Sequence, residues 1–593
     1  MTLGRFAKAF IWGGVVLFII LGAAFWVISY LPFTMVKAKI DTFASDQAAE
    51  PLNEFLFRKI VFKLRCVGTV LAGAAGVFYF TRRLLQQYLD RVFRSFGSLF
   101  KILSLQTGRA LKKEDKIHLS MVFFILLFAV AVRICFLFQP IRNDEAYTFI
   151  KYASKPLYVG LSCYTAPNNH LFHTFLVHLC YLVLGGSAWV IRLPAFLAGI
   201  ALVPITYLAG RLFYNKYAAL MAAALVAANS TLIEYSTNAR GYTLICCFFL
   251  LIWALAKFLL QERNLAGVIL WAILSSLGFY TIPIMLYPFG MVMIWMLLLI
   301  LFHDAGQPRG RRWKDFFAAV VLTVVMTFIL YVPVFIAVGL RPVIANADVA
   351  PLSWDRFIER IPSALSALWH QWNRDIPRAV EFLFIIGFVT SLILHKRSAA
   401  HRIPIVLAVV IWCVPVLMVQ RVIPFERVWL FLLPLFFILA SSGLSYIYCL
   451  INSQIGKARP IFFTTLIVVV SGWMGINAIR SQSVYYSEEG AFRDAEDIVL
   501  FLKERLEPQD SVVAGFNAAP LEYYFMAHEV PVQYLADADE SIRVWTAVNG
   551  APAERLNDIL ALHGVSRTDF TKPRLIKKFD FAELYQMDRI YKH

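Results

Sequence analysis

Residues 117–147 read IHLSMVFFILLFAVAVRICFLFQPIRNDEAY. The apolar run 117–138 is long enough to cross a bilayer as a helix. It ends directly in Arg142-Asn-Asp-Glu-Ala-Tyr147, and lipid does not tolerate such a charged stretch, so it faces water or the inside of a helix bundle. The same texture continues outward in both directions. Of 593 residues, 60% are hydrophobic and 16% charged, with a mean hydropathy of +0.66. No water-soluble core hides that much apolar surface. The chain reads as a polytopic membrane protein, which excludes disordered, fibrous and disulfide-scaffold classes.

Further apolar runs fall near 9–31, 66–80, 171–186, 189–209, 217–233, 242–260, 265–280, 282–302, 315–338, 378–394, 403–420, 428–449 and 460–478. The run at 9–31 is too long for a cleaved signal peptide and lacks a cleavage site, so it reads as an anchor. Lys and Arg gather at 81–116, 210–216, 303–314, 395–402 and 451–459, which the positive-inside rule assigns to the cytoplasm. All five land on one side only if 171–186 does not cross. That run carries His173 and His178, with His170 just before it, and three histidines suit a pocket-lining or interfacial helix. The expectation is one long external loop, 139–187, and about 13 spans, with the N-terminus inside and the C-terminus outside. A re-entrant 66–80 would give about 12 and reverse the N-terminus.

Three parts follow: an N-terminal extension, 1–116; an all-α transmembrane domain, 117–478; and a soluble α/β domain, 479–593. The last part predicts a helix at 490–506, a strand at 511–516 and a helix at 519–528, from helical spacing of Phe492, Ile498, Phe501 and Leu502 and the buried-strand pattern after Ser511. The net charge of +18 belongs to cytoplasmic loops and anionic lipid heads rather than to nucleic acid. Seven of the eight cysteines lie in or beside apolar runs, and no disulfide framework or metal spacing emerges.

Four clusters fall on the external side. Asp144 and Glu145 suit a general base or a divalent cation, or simply an acidic pair at a helix end. Tyr164-Thr-Ala-Pro-Asn-Asn-His170 offers Asn168, Asn169 and His170 to sugar hydroxyls, with the imidazole also able to take a metal; a turn with a helix cap explains the same residues. Glu234-Tyr-Ser-Thr-Asn-Ala-Arg-Gly-Tyr242 joins two spans on the Asp144 side and contributes Glu234, Arg240 and Tyr242. Gln420-Arg-Val-Ile-Pro-Phe-Glu-Arg427 puts Arg421 and Arg427 outside, against the charge bias, where a lipid phosphate or Glu426 would pair with them. Arg192, at the outer start of 189–209, is alike in position. Together they suit a negatively charged, lipid-borne polar substrate.

The acidic pair, the Asn-His turn, the Arg-Leu-Pro-Ala span start at 192–195 and the Ala-Arg-Gly-Tyr loop resemble the GT-C membrane glycosyltransferases. Within them the pattern is similar to the family 39-like branch of protein O-mannosyltransferases and lipid A aminoarabinose transferase, best over 117–300 and extending to 478. The resemblance implies a GT-C fold in a bacterial inner membrane. It implies transfer of a monosaccharide, with inversion, from a polyprenyl-phosphate donor to an extracytoplasmic glycolipid, polysaccharide or protein. By the same resemblance Asp144 is the base, Glu145 orients it or helps bind a cation, and Glu234 is the second acid. Asn168, Asn169, His170, Arg192, Tyr242 and the phosphate-holding Arg240, Arg421 and Arg427 bind substrate. A divalent metal ion stays undecided, with Asp144, Glu145 and His170 as its candidates. The extension 1–116 lies outside the resemblance and would dock a partner or sit on the membrane surface, and the aromatic, charged loop 339–377 reads as an interfacial belt or as a cover over the acceptor entrance. The other readings are a polyprenyl-diphosphate oligosaccharide ligase or polymerase, and a flippase or transporter. The transporter fits less well, because no repeat is visible and the charges sit at the outer interface.

Overall fold

The computed structural model describes every residue except 1–2, 42–52, 114–115, 304–307, 345–349, 453–458, 482–483, 485–491, 516–517, 536–540, 551–555, 567 and 591–593. Lys457, one of the basic loop residues, lies outside the described residues. The chain divides into two compact units, 1–113 with 264–267, and the remainder.

In the first unit, helices Leu3–Ile28 and Glu54–Phe80 cross where Gly22 meets Gly68. A Cβ on Gly68 would come within 2.6 Å of Trp26 and 3.0 Å of the Gly22 carbonyl, so the absence of side chains sets the approach. The short run expected at 66–80 is therefore the second half of a 27-residue helix that begins at Glu54, capped by the Asn53 side chain on the Leu56 N–H. A basic amphipathic helix, Arg82–Lys113, follows.

Across the described residues, eight helices are long and apolar enough to cross a membrane: Lys8–Ile28, Glu54–Phe80, Lys116–Leu137, Ala188–Phe213, Tyr242–Gln261, Pro283–Phe302, Arg309–Ala337 and Leu432–Leu450. Lys216–Ala228 and Ser230–Ser236, bent by 63°, make a ninth if counted as one broken span. The chain is a multi-pass membrane protein. The count is lower than the fourteen apolar runs because a run measures composition, whereas a span needs length. Leu265–Thr281, Arg378–Ile393 and Ile405–Gln420 have 17, 16 and 16 residues. At 1.5 Å per residue each is about 25 Å long, at the lower limit for crossing a roughly 30 Å hydrocarbon core. Leu171–Leu184 has only 14 residues and ends at Gly185 in left-handed geometry (φ 84°). At 1.5 Å per residue it is about 21 Å long, shorter than a roughly 30 Å hydrocarbon core.

Two helices of the second unit, Arg378–Ile393 and Leu432–Asn452, touch through glycine. A Cβ on Gly443 would lie 1.8 Å from the Gly387 carbonyl, and one on Gly387 would lie 2.3 Å from the Ala440 carbonyl. Both contacts are with backbone, which cannot rotate away. We expect Gly443→Ala to push the helices apart and cost about 1–3 kcal/mol, read as a lowered thermal unfolding midpoint in detergent.

The C-terminal part carries a four-stranded sheet in the order β1-β2-β4-β3. β1 (Asp510–Ala514) runs parallel to β2 (Arg543–Asn549), and β4 (Ala582–Asp588) is antiparallel to both β2 and β3 (Arg574–Lys578). Helices Ala495–Lys503 and Ala519–Ala527 supply Ile498, Leu502, Leu521 and Phe525 to its core.

Candidate functional site

The site is built around a helix that breaks inside the bundle. Asn229 stops Lys216–Ala228 and starts Ser230–Ser236, its side chain accepting the Leu232 N–H and donating to the Trp372 carbonyl. The break frees carbonyls in an apolar interior, where an unmet one is costly. Arg133, fully buried on Lys116–Leu137, donates to the Val226 and Ala227 carbonyls (3.2 and 2.9 Å) and to Ser236 Oγ (2.9 Å). This residue fixes the direction of Ser230–Ser236, and with it Glu234.

Glu234 is 2% exposed and held by two guanidiniums, Arg142 Nη1 at 3.7 Å and Arg374. Arg142 in turn donates to the Val484 carbonyl at 2.6 Å. Asp144, on the short helix Asn143–Thr148, is placed differently. Its side chain is 20% exposed, with Oδ2 3.8 Å from Arg240 and 3.9 Å from Arg427, and Oδ1 3.4 Å from Asn168 Nδ2. Arg240 is locked by Thr148 Oγ1 (3.1 Å) and the Asn168 carbonyl (2.9 Å). Four guanidiniums thus face two carboxylates at one end of the bundle, an excess of positive charge suited to an anion. The two arginines near Asp144 stand outside hydrogen-bond distance, so its oxygens keep lone pairs for an incoming hydroxyl.

A family model described as dolichyl-phosphate-mannose-protein mannosyltransferase matches residues 167–337. Among solved structures, ArnT from Cupriavidus metallidurans bound to undecaprenyl phosphate superimposes with a TM-score of 0.52 and 12% identity, over 78% of this chain and 97% of its own. The chain shares the fold of ArnT, the GT-C fold. The oligosaccharyltransferase of Archaeoglobus fulgidus, tethered with an acceptor peptide, aligns at a TM-score of 0.42 and 14% identity, over 69% of this chain and 63% of its own. No curated relative matches the chain in sequence.

Within the GT-C fold, the expected residues divide into two groups. Asp144, Asn168, Arg240 and Arg427 meet, as does Glu234 one layer behind. Glu145 turns away from Asp144, because neighbouring helical positions point about 100° apart. It pairs with Arg192 at 2.9 Å, both side chains at 0% exposure. Arg192 also donates to the Leu137, Gln139 and Pro140 carbonyls, so four of its five N–H groups tie the loop entrance together. Asn169 is likewise spent, on the Gly160 and Cys163 carbonyls and the Thr174 hydroxyl. Arg421 lies over Trp354, 5.7 Å from the ring, as the left-handed cap of Ile405–Gln420. His170 Nδ1 accepts the Gly241 N–H at 2.9 Å, and its ring meets Tyr242 edge-on, so the pair shapes the Arg240 turn.

This arrangement does not suit a cation. Glu145 and His170 are turned to other partners, Asp144 is flanked by arginines, and among the described residues no three His, Cys, Asp or Glu side chains gather as a metal set. Two site residues were not singled out from the sequence, Arg142 and Arg374. Both carried a signal, since each arginine adjoins an acidic residue or motif on the outer side.

Burial, reinforced by Arg240, holds His170 well below the ordinary imidazole value and His173 down to about 3. Neither ring nitrogen of His173 has a hydrogen-bond partner. Both rings stay neutral when folded but protonate near 6.5 when unfolded. The unfolded state therefore binds more protons below pH 6.5, and stability falls as pH drops through that value, continuing for His173 towards 3. The expected slope is roughly 1.4 kcal/mol per pH unit for each histidine, and His173→Leu flattens it, read from unfolding midpoints between pH 7 and 5.

Proposed function

We propose that the protein transfers a monosaccharide from a polyprenyl-phosphate donor to an acceptor outside the cytoplasm, in a bacterial inner membrane. The observation that carries this reading is the partly exposed Asp144 carboxylate between Arg240 and Arg427, at the Glu234 end of a GT-C bundle. The undecaprenyl phosphate bound to ArnT supports a lipid phosphate as the natural anion.

The chemistry is a displacement at the anomeric carbon. The acceptor oxygen forms a bond to that carbon as the bond to the phosphate oxygen breaks, inverting the centre. The electron pair leaves on the lipid phosphate, and Asp144 takes the acceptor proton. Arg240 and Arg427 stabilise the charge growing on the departing phosphate, the largest electrostatic task in the step. Arg240 is buried, while Arg427 is 22% exposed and lies beside the Phe425 ring. Arg309, Arg311 and Arg312 in the first turn of the Arg309–Ala337 helix, and Lys396, Arg397 and Arg402 just after Arg378–Ile393, support an outward-facing site through the positive-inside bias.

The test is sugar transfer by purified protein in nanodiscs, offered a panel of radiolabelled polyprenyl-phosphate monosaccharides with and without EDTA. Turnover of one donor, unchanged by EDTA, is the expected outcome; consumption of none would sink the reading. Arg427→Ala removes one charge-assisted contact to phosphate, so donor KM should rise roughly 10-fold with a smaller loss in kcat, read from donor titrations. An unchanged KM would place the phosphate elsewhere.

A further inference from the structure

The C-terminal domain has no assigned role, yet its helix Ala519–Ala527 touches both ends of the 139–187 loop. Tyr523 Oη donates to the Gly186 carbonyl at 2.6 Å. Tyr524 Oη accepts the Ile141 N–H at 3.3 Å. Adjacent helical positions diverge by about 100°, which lets two neighbouring tyrosines reach segments 45 residues apart in sequence (141 and 186). Around them, the Tyr523 ring meets Phe149 edge-on at 5.8 Å, Phe149 meets Tyr181 at 5.3 Å, and Lys151 faces Glu522 at 3.7 Å. Ile141, Ala146, Phe149 and Ile150 share one apolar cluster with Ile498, Leu521 and Phe525.

The helix that carries Asp144 has six residues. So short a helix does not hold itself in water and takes its stability from what packs on it. Its buried face packs on the C-terminal domain. We propose that this domain is a clamp on the Asp144 loop, with Tyr523 and Tyr524 as positioning residues that fix where Asp144 stands between Arg240 and Arg427. The catalytic half of this proposal rests on the reading of Asp144 as the base; the clamp itself does not.

The test is hydrogen–deuterium exchange on the full chain in nanodiscs, comparing the parent with the Tyr523→Phe/Tyr524→Phe double variant. Exchange over 141–153 and 184–190 should quicken by roughly 10-fold, the size expected for a lost hydrogen bond, while β1 and β2 keep their protection. In the transfer assay kcat should fall several-fold with donor KM unchanged, since Asp144 is misplaced and the arginines are not. If β1 and β2 lose protection, the single Tyr524→Phe variant replaces the double. Unchanged loop exchange with an intact sheet overturns the clamp. Faster loop exchange in a protein that transfers no sugar keeps the clamp and rejects the transferase reading, so the two fail separately.

Discussion

Asp144→Asn should lower kcat by about 1,000-fold while the protein stays folded, because a positioned base contributes roughly 10²–10⁴. Asparagine has the same shape and keeps the contact with Asn168, but it cannot take a proton. Removing the negative charge also leaves Arg240 and Arg427 unopposed, so donor KM should hold or fall. A loss in kcat without a rise in KM marks an interaction made only in the transition state. Turnover by purified parent and variant, beside their unfolding midpoints, checks it. A variant as active as the parent would remove Asp144 from the chemistry.

Arg192→Ala should be the most destabilising single change discussed here. Arg192 is 0% exposed and satisfies three carbonyls and the Glu145 carboxylate. Truncation removes the guanidinium paired with the buried Glu145 carboxylate, which costs about 3–5 kcal/mol. The midpoint should drop by about 3–4 °C. Arg192→Lys should recover only part of this, since a point charge on a flexible stem cannot reach three carbonyls and a carboxylate together. A double Arg192→Met/Glu145→Gln variant should be milder than either charge left unpaired. A midpoint within 2 °C of the parent for Arg192→Ala would show that the pair does not hold the loop entrance.

The class of fold was legible because lipid imposes long apolar runs that no other solvent demands. The sidedness argument also pointed to 171–186 as a non-crossing helix, and a 14-residue helix is what forms there. Length was harder to read, as at Glu54–Phe80, where Lys and Arg inside the helix hid its first half. In the site, sequence order brought Asp144, Glu234, Arg240 and Arg427 into one group, since each is a charge at the mouth of a span. It could not separate charges that meet substrate from charges that hold the protein together. Glu145 and Arg192 have the same composition and neighbourhood as Asp144 and Arg240, and only the direction of each side chain sorts them. Direction depends on which partner arrives from far along the chain, and Arg374 reaching Glu234 is 140 positions away.

That distance has a consequence for how the molecule is made. The 139–187 loop leaves the ribosome early, whereas the surface that covers it lies near Tyr523 and Tyr524, as much as 383 positions later. Until residues 519–527 are made, Ile141, Ala146 and Phe149 lack the part of their cover that this later helix supplies. A chain cut short by a premature stop, or clipped before 519, would insert in the membrane like the whole protein and still lack a finished site.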